Sequence, residues 1–375
     1  MANRAEYLAG VRTVVVKLGT QLLSDKDGRL DAAFVAAIAG QLAKLRAAGM
    51  RVTIVSSGAI GCGLRELGLA KRPTDLAMLQ AVAAVGQRRL MDVWADAFES
   101  HQLHVAQLLL TRQDIDDRSR FLNLRNTLVA VHELGGIPIV NENDTVSTAE
   151  LERISFGDND ILAALVAHAL RADLLVLLTV VDGLLDASGK PVRMVNHLDD
   201  VRKHIRGEKS PLGRGGMDSK LQAAQMVTDA GEVMVVADGR MPDVFSRLLA
   251  GEEIGTMFVP AGKKRSSRSR WIGSLRLSGT LVIDDGARRA LVEKNRSLLP
   301  AGIVKVEGDF SRGDAIGIAG ADGVLIARGL SNYSSADMSR ILGLKTQQIR
   351  QMLAEAAYDE AIHRDNLVLE RANHS

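Results

Sequence analysis

IPIVNENDTVSTAELERISFGDND, residues 137–160, is the stretch that decides the fold. Its apolar start, Ile137 to Val140, predicts a buried strand. Asn141, Glu142, Asn143 and Asp144 follow at once, a burst of amides and acids at the strand end. A polar excursion leads to a second cluster, Gly157, Asp158, Asn159 and Asp160. Ile161 to Leu170 then predicts an apolar helix. Two acid-amide clusters therefore bracket one excursion between a strand and a helix. In an open α/β sheet, ligands bind at that place.

Strand-like runs recur on both sides of this stretch, each followed by a helical pattern. Val11 to Leu18 (VRTVVVKL), Val52 to Val55, His104 to Leu110, Asp173 to Val181, Glu232 to Ala237 and Thr256 to Val259 predict strands. Asp31 to Ala48, Asp75 to Ser100 (with Gly86 as a break), Arg120 to Leu134 and Met217 to Ala230 predict helices. Alternation of this kind predicts a parallel sheet covered by helices on both faces. Asp114, Asp116 and Asp117 read as a solvated turn. Ala261 to Arg270 (AGKKRSSRSR) holds five basic residues and reads as part of a linker. Beyond it, short strands at 280–283, 302–307, 314–319 and 324–330 suit a small barrel or sandwich. Helices at 335–342 and 346–358 close the chain. The expected division is 1–260, a basic linker 261–277, and 278–375.

The composition narrows the class. Aromatics are only 3%, so the core must be built from Val, Leu, Ile and Ala. The single cysteine, Cys62, excludes an intrachain disulfide and suits a reducing compartment. MANRAEYLAG lacks the apolar centre of a signal peptide. No run reaches the roughly 20 apolar residues of a membrane span, so a cytoplasmic protein is expected. Residues 261–375 carry 18 Lys and Arg against 13 Asp and Glu, whereas the remainder carries 29 against 32. This mild basic excess admits nucleic acid as a partner of the second part.

Two lysines stand where anions could meet them. Lys17 follows VVV at a strand end and precedes Gly19, where backbone can approach a ligand. Lys220 falls in the first turn of a helix, after the Gly-rich SPLGRGGMDSK (Ser210 to Lys220). A cation there opposes the helix dipole unless an anion is present. SSGAIGCG (Ser56 to Gly63) follows a strand and opens a third helix, offering hydroxyls and backbone N–H groups. Cys62 within it reads as a packing residue. Phosphoryl transfer needs such parts, because the protein mainly positions reactants and neutralises charge. There is no GxxxxGK[ST] loop, no GxGxxG after a strand, no GxSxG elbow, and no convincing metal spacing among the eight histidines. A carboxylate acceptor would need no general base, being ionised already at pH 7. An amino-acid acceptor would need an acid for its ammonium group, and Asp144 fits.

Seven segments are distinctive in their order: VVVKLGT (14–20), SSGAIG (56–61), LLLTRQD (108–114), RFLNLRNTL (120–128), VNENDTV (140–146), GDND (157–160) and GRGGMDSK (213–220). Together they resemble the glutamate 5-kinases of the amino-acid kinase family. SLLPAGI (297–303) and GDFSRGD (308–314) resemble a PUA domain. The resemblance implies an αβα sandwich with a β-rich tail, ATP with Mg²⁺, and phosphorylation of the glutamate γ-carboxyl. It implies Lys17 and Lys220 on the transferring phosphoryl group, with Asp160 orienting them. Ser57, Asp144 and Asn159 would hold glutamate. Thr179, Val180 and the loop Arg214, Gly215, Gly216, Met217, Asp218, Ser219 and Lys220 would line the nucleotide site, and no protein metal site is implied. Proline as feedback inhibitor, RNA at the PUA-like part, glutamyl phosphate reductase downstream and a homo-oligomer are the implied partners. Val180 stands where the family usually has aspartate, with Asp182 two residues on, and Leu185 replaces a usual tyrosine. Altered nucleotide affinity is the expected result. Thr145 to Phe156 is expected to fold over glutamate. Two alternatives stay open: another acceptor, such as acetylglutamate, aspartate or uridylate, and an RNA-binding metabolite sensor.

Overall fold

Six strands run parallel through the first part of the chain, which a computed structural model describes over residues 3–25, 29–146, 159–186, 188–205, 217–260, 267–344, 348–349 and 358–370. The chain divides into two units, 1–264 and 265–375. In the first, the strands are β1 (Thr13–Leu18), β2 (Arg51–Ser56), β3 (Val105–Leu110), β4 (Ile137–Glu142), β5 (Leu174–Thr179), a hairpin of β6 (Leu184–Leu185) and β7 (Pro191–Val192), β8 (Met194–Val195), β9 (Val233–Asp238) and β10 (Thr256–Phe258). Sheet order is β3-β4-β2-β1-β5-β9-β10-β8, with β10 antiparallel to β9. From β1 the chain moves to β2, skips to the edge strand β3, returns to place β4 between β3 and β2, and then crosses over to β5 on the other side of β1. The central strand β1 therefore lies at a topological switch point, where a crevice opens at the strand ends.

Register carries this to individual residues. Lys17 pairs with Val55 on one side and Leu177 on the other. One step further, Leu18 aligns with Ser56 and Leu178. The carboxyl ends of β1, β2, β4 and β5 thus share one edge. Every residue of TVVVKL is buried, which is why the run from Val14 to Leu18 reads as continuously apolar apart from its lysine. The helix Asn159–Leu170 is buried on all sides from Leu162 to Ala169. It packs on β1, β2, β4 and β5 and is covered by the helices Arg118–Glu133 and Met217–Asp229. A helix buried on every face, its residues apolar except His168 beyond the first turn, is a core helix.

Several expectations change. The helix Leu76–Glu99 runs unbroken through Gly86. A Cβ on Gly86 would lie 1.8 Å from the Ala59 carbonyl oxygen and 2.3 Å from the Gly63 nitrogen, and one on Gly63 would lie 1.9 Å from the Val82 carbonyl oxygen. These glycines let the helix Ala59–Glu66 press backbone to backbone against its neighbour. The acidic patch is not a plain turn: Asp114 closes a capping box with Thr111, and Asp117 caps the helix Arg118–Glu133. β5 ends at Thr179, so Val180 and Val181 lie beyond it, exposed. Most of 145–156, and most of the expected helix 346–358, lies outside the described residues. Among the described residues no helix is long and apolar enough to cross a membrane.

The second unit forms a five-stranded sheet. Its strands are β11 (Gly279–Ile283), β12 (Ile303–Gly308), β13 (Ala315–Ala319), β14 (Leu325–Leu330) and β15 (Leu367–Leu369), in the order β12-β11-β13-β14-β15. All pairings are antiparallel except β11 with β13. Ser267–Ser274, read as linker, is a helix whose Arg270, Trp271 and Ile272 are buried. The edge strand β15 was not expected from the sequence.

Two measurements test the packing. Gly86→Ala should cost roughly 1–3 kcal/mol or more in urea unfolding, because backbone must move aside. Gly61→Ala, with nothing within 4 Å of its added carbon, should instead gain about 0.5–1 kcal/mol from helix propensity. His132 provides a pH test. It is buried with Nε2 2.9 Å from the Thr53 hydroxyl. Burial, with Arg51 and Arg46 adding to it, pushes its pKa down to about 4. The unfolded chain therefore takes up this proton first, and stability should fall as pH drops from about 6.5 to 4. His132→Gln should flatten that part of the stability curve.

Candidate active site

Lys17, Asp160 and Lys220 come from three segments and meet inside the protein. Lys17 Nζ is 2.7 Å from Asp160 Oδ1, and Lys220 Nζ is 3.0 Å from Asp160 Oδ2. Ser219 Oγ donates to the same Oδ2 at 3.2 Å. Asp160 has no exposed side-chain surface, and the two lysines are 8% and 14% exposed. β1 delivers Lys17, the first turn of the helix Asn159–Leu170 delivers Asp160, and the first turn of the helix Met217–Asp229 delivers Ser219 and Lys220. An acid suits a helix N-terminus and a lysine does not. Asp160 therefore gains from its own helix and offsets the poor placement of Lys220.

The charges explain one another. Burial alone would raise the Asp160 carboxyl; the ammonium groups of Lys17 and Lys220 outweigh it and hold the carboxyl below the ordinary carboxylate range. Two cations on one anion leave the cluster one positive charge in excess. Such a cluster is poised to receive an anion at the mouth of the crevice.

Beside it lies a neutral cluster. Asn159 Nδ2 donates to Ser57 Oγ at 2.7 Å, to the Ser56 carbonyl at 3.1 Å and to Asn141 Oδ1 at 3.2 Å. A Ser57 hydroxyl that accepts from Asn159 can turn its own proton toward a ligand carboxylate. Ser57 precedes Gly58, whose φ of +105° only glycine adopts without strain. That turn opens the helix Ala59–Glu66, with no side-chain cap on its first N–H groups. Asn141 Nδ2 donates to Gln87 Oε1 at 2.8 Å, and Trp94 Nε1 donates to Ser56 Oγ at 3.2 Å. Gln87, Trp94 and the role of Ser219 were not foreseen. Asn141, by contrast, stands in the quoted strand-end burst.

Other expected residues are less closely drawn in. Asp144 is half-buried in the turn after β4, at the same sheet edge. Thr179 ends β5, and its carbonyl accepts from Gly239 N. Val180 is 41% exposed. Asp182, two residues beyond Val180, is engaged in the structure of this region. Its Oδ2 accepts from Arg193 Nη1 and its Oδ1 from Gly255 N, both at 2.7 Å, so it closes the β6–β10 corner. Met217 and Asp218 open the helix that carries Lys220. Arg214, Gly215 and Gly216 lie outside the described residues. Cys62 is buried, and burial raises its thiol to about 11, as suits a packing residue.

Residues 12–238 match the model of the amino acid kinase family, and residues 279–353 match that of the PUA domain. The chain belongs to the amino acid kinase family, within its glutamate 5-kinase group. It is 43% identical to the glutamate 5-kinase of Pseudomonas entomophila (strain L48) over 96% of this chain and 99% of that one. It is equally identical to the glutamate 5-kinase of Syntrophus aciditrophicus (strain SB), over 98% and 97%. Among solved structures it is similar to a Giardia carbamate kinase at 18% identity, covering 67% of this chain and 99% of that one with a TM-score of 0.49.

Removing the shared anion tests the cluster. Asp160→Ala removes the buried carboxylate that Lys17 and Lys220 share and should cost about 3–5 kcal/mol in urea unfolding at pH 7. Because the folded-state pKa is depressed, this pairing stabilises above about pH 4 and is lost as pH falls through the folded value. The variant's acid limb below pH 4 should be correspondingly flatter.

Proposed function

We propose that this chain transfers the γ-phosphoryl group of ATP to the γ-carboxylate of L-glutamate, giving L-glutamyl 5-phosphate, the first step of proline biosynthesis. The observation that carries the reading is the adjacency of Asn159 and Asp160. One residue belongs to the neutral, carboxylate-ready cluster and the next to the cationic one. Ser57 and Asn159 would hold the acceptor, with Asp144 taking its ammonium group. Lys17 and Lys220 would flank the transferring group and neutralise its equatorial oxygens. Asp160 would hold the two lysines at their spacing. Thr179, Val180 and residues 214–220 would line the nucleotide.

The acceptor oxygen attacks phosphorus as the bond to the ADP oxygen breaks. The attacking carboxylate carries no proton, so the reaction demands no general base. This fits a site whose acid is tied to two lysines and whose other donors are neutral. Among the described residues no three His, Cys, Asp or Glu side chains are grouped to hold a metal. Mg²⁺ typically binds through substrate phosphates and one or two carboxylates rather than an all-protein cage, so an ion carried in on ATP suits this chain. It would supply further charge neutralisation on the phosphates.

The same reading takes proline as a competitor at the acceptor cluster and glutamyl phosphate reductase as the consumer of the product. It also takes a homo-oligomer as the assembly and RNA as the partner of the PUA domain. Glutamate and ATP with hydroxylamine as a trap test the reaction. γ-Glutamyl hydroxamate should form with wild type, and kcat should fall about 10²–10³-fold in Lys17→Ala and in Lys220→Ala. Turnover only with acetylglutamate, aspartate or uridylate would replace the acceptor; no turnover with any of them would overturn the reading.

A further inference from the structure

The helix Leu76–Glu99 lies behind the acceptor cluster, yet two of its side chains are hydrogen-bonded into it. Gln87 and Trp94 stand seven residues apart, two helical turns, and so share one face. Gln87 Oε1 accepts from Asn141 Nδ2 at 2.8 Å, and Trp94 Nε1 donates to Ser56 Oγ at 3.2 Å. Both targets lie at strand ends, and both residues touch Asn159: Asn141 through Oδ1 and Ser56 through its carbonyl. Asn141 Oδ1 also accepts from the Glu142 N–H at 2.9 Å. Its amide orientation is therefore fixed from both ends, oxygen toward Asn159 and nitrogen toward Gln87.

Two further observations single out Gln87. Its side chain is buried, and its Nε2 finds no hydrogen-bond partner among the described residues. A buried amide with an unmet donor is destabilising compared with an apolar side chain of the same shape. Methionine would fill this space with no polar atoms to satisfy, so the bond to Asn141 is what the amide adds there. Gly86, the preceding residue, is where the helix presses against Ala59 and Gly63. A side chain there would push the helix away and carry Gln87 out of reach of Asn141.

We propose that Gln87 is a positioning residue for the acceptor site: it orients Asn141, which in turn aims the Asn159 amide at Ser57, and the glycine contact at Gly86 sets the reach of this brace. The role rests on the reaction proposed above. It places control of acceptor affinity on a helix that reaches the site through Gln87 and Trp94, away from the two lysines' shared carboxylate.

Steady-state kinetics separate this role from a merely structural one. Gln87→Met should raise the KM for glutamate about tenfold, the worth of one lost hydrogen bond in a dry site. Its KM for ATP should stay within about twofold and its kcat within about threefold, because the phosphoryl-transfer groups are untouched. Gln87→Glu keeps an oxygen for Asn141 Nδ2 and should recover most of the loss. In an Asn141→Ala background, Gln87→Met should add less than about twofold. Thermal midpoints are read on every variant, and Gln87→Glu with Asn141→Ala carries the test if Gln87→Met does not fold. An unchanged KM for glutamate, equal rises in both KM values, or full additivity with Asn141→Ala overturns the role while leaving the reaction standing. Wild type without glutamate turnover overturns the reaction and this role together.

Discussion

Asp160 stands between Lys17 and Lys220 with no exposed surface, and two ammonium groups could not share the interior without it. Taking a charge out of water is expensive unless it is paired and hydrogen-bonded. The three residues are distant in sequence and arrive on a strand and two helix starts. For them to meet, β1 must be central, the helix Asn159–Leu170 must cross over it, and the helix Met217–Asp229 must pack on that crossover helix. The sheet order and the burial of the crossover helix deliver all three conditions. The cluster is thus both a product of the topology and a severe constraint upon it: a slip of one residue in β1 would turn Lys17 to the opposite face of the sheet.

The neutral cluster depends on a different physical device. Asn159, Ser57 and Asn141 carry no charge, so their placement relies on hydrogen bonds of modest worth. Close backbone contact supplies the missing rigidity. Gly63 and Gly86 allow two helices to approach more closely than side chains permit, and that approach brings Gln87 and Trp94 against the strand ends. Charge fixes one half of the crevice and backbone proximity fixes the other.

Much of this architecture is legible in the sequence. VVV before Lys17 announces a buried strand, and the lysine at its end asks for a counter-charge. The strand-end amides and acids at 141–144 mark the sheet edge, and Asn159–Asp160 marks the start of a helix apolar beyond its first turn except at His168. What stayed hidden was long-range. Gly86 reads as a helix break because glycine weakens helices locally, but its purpose lies in a carbonyl 27 residues away in Ala59. Gln87 looks like an ordinary polar residue until Asn141, 54 positions on, meets it. Asp182 gives no local sign that its oxygens meet Arg193, 11 residues on, and the Gly255 N–H, 73 residues on. The capping box at Thr111 and Asp114 is the exception: its spacing is local and could have been read. The three-residue edge strand β15 gives too short a pattern to announce itself.

The order of Asn159 and Asp160 along one helix has a last consequence. Consecutive α-carbons are held about 3.8 Å apart by the peptide bond, and successive side chains of a helix point about 100° apart. One residue faces the Ser57 cluster and the other the lysines. The gap between the two halves of the crevice is therefore set by covalent geometry and by a helix start locked in the core. On the proposed reaction, that gap works as a pair of dividers with a fixed opening. It measures the length of an acceptor, and an acid one methylene longer or shorter would carry the same charge but bring its oxygen to the wrong place.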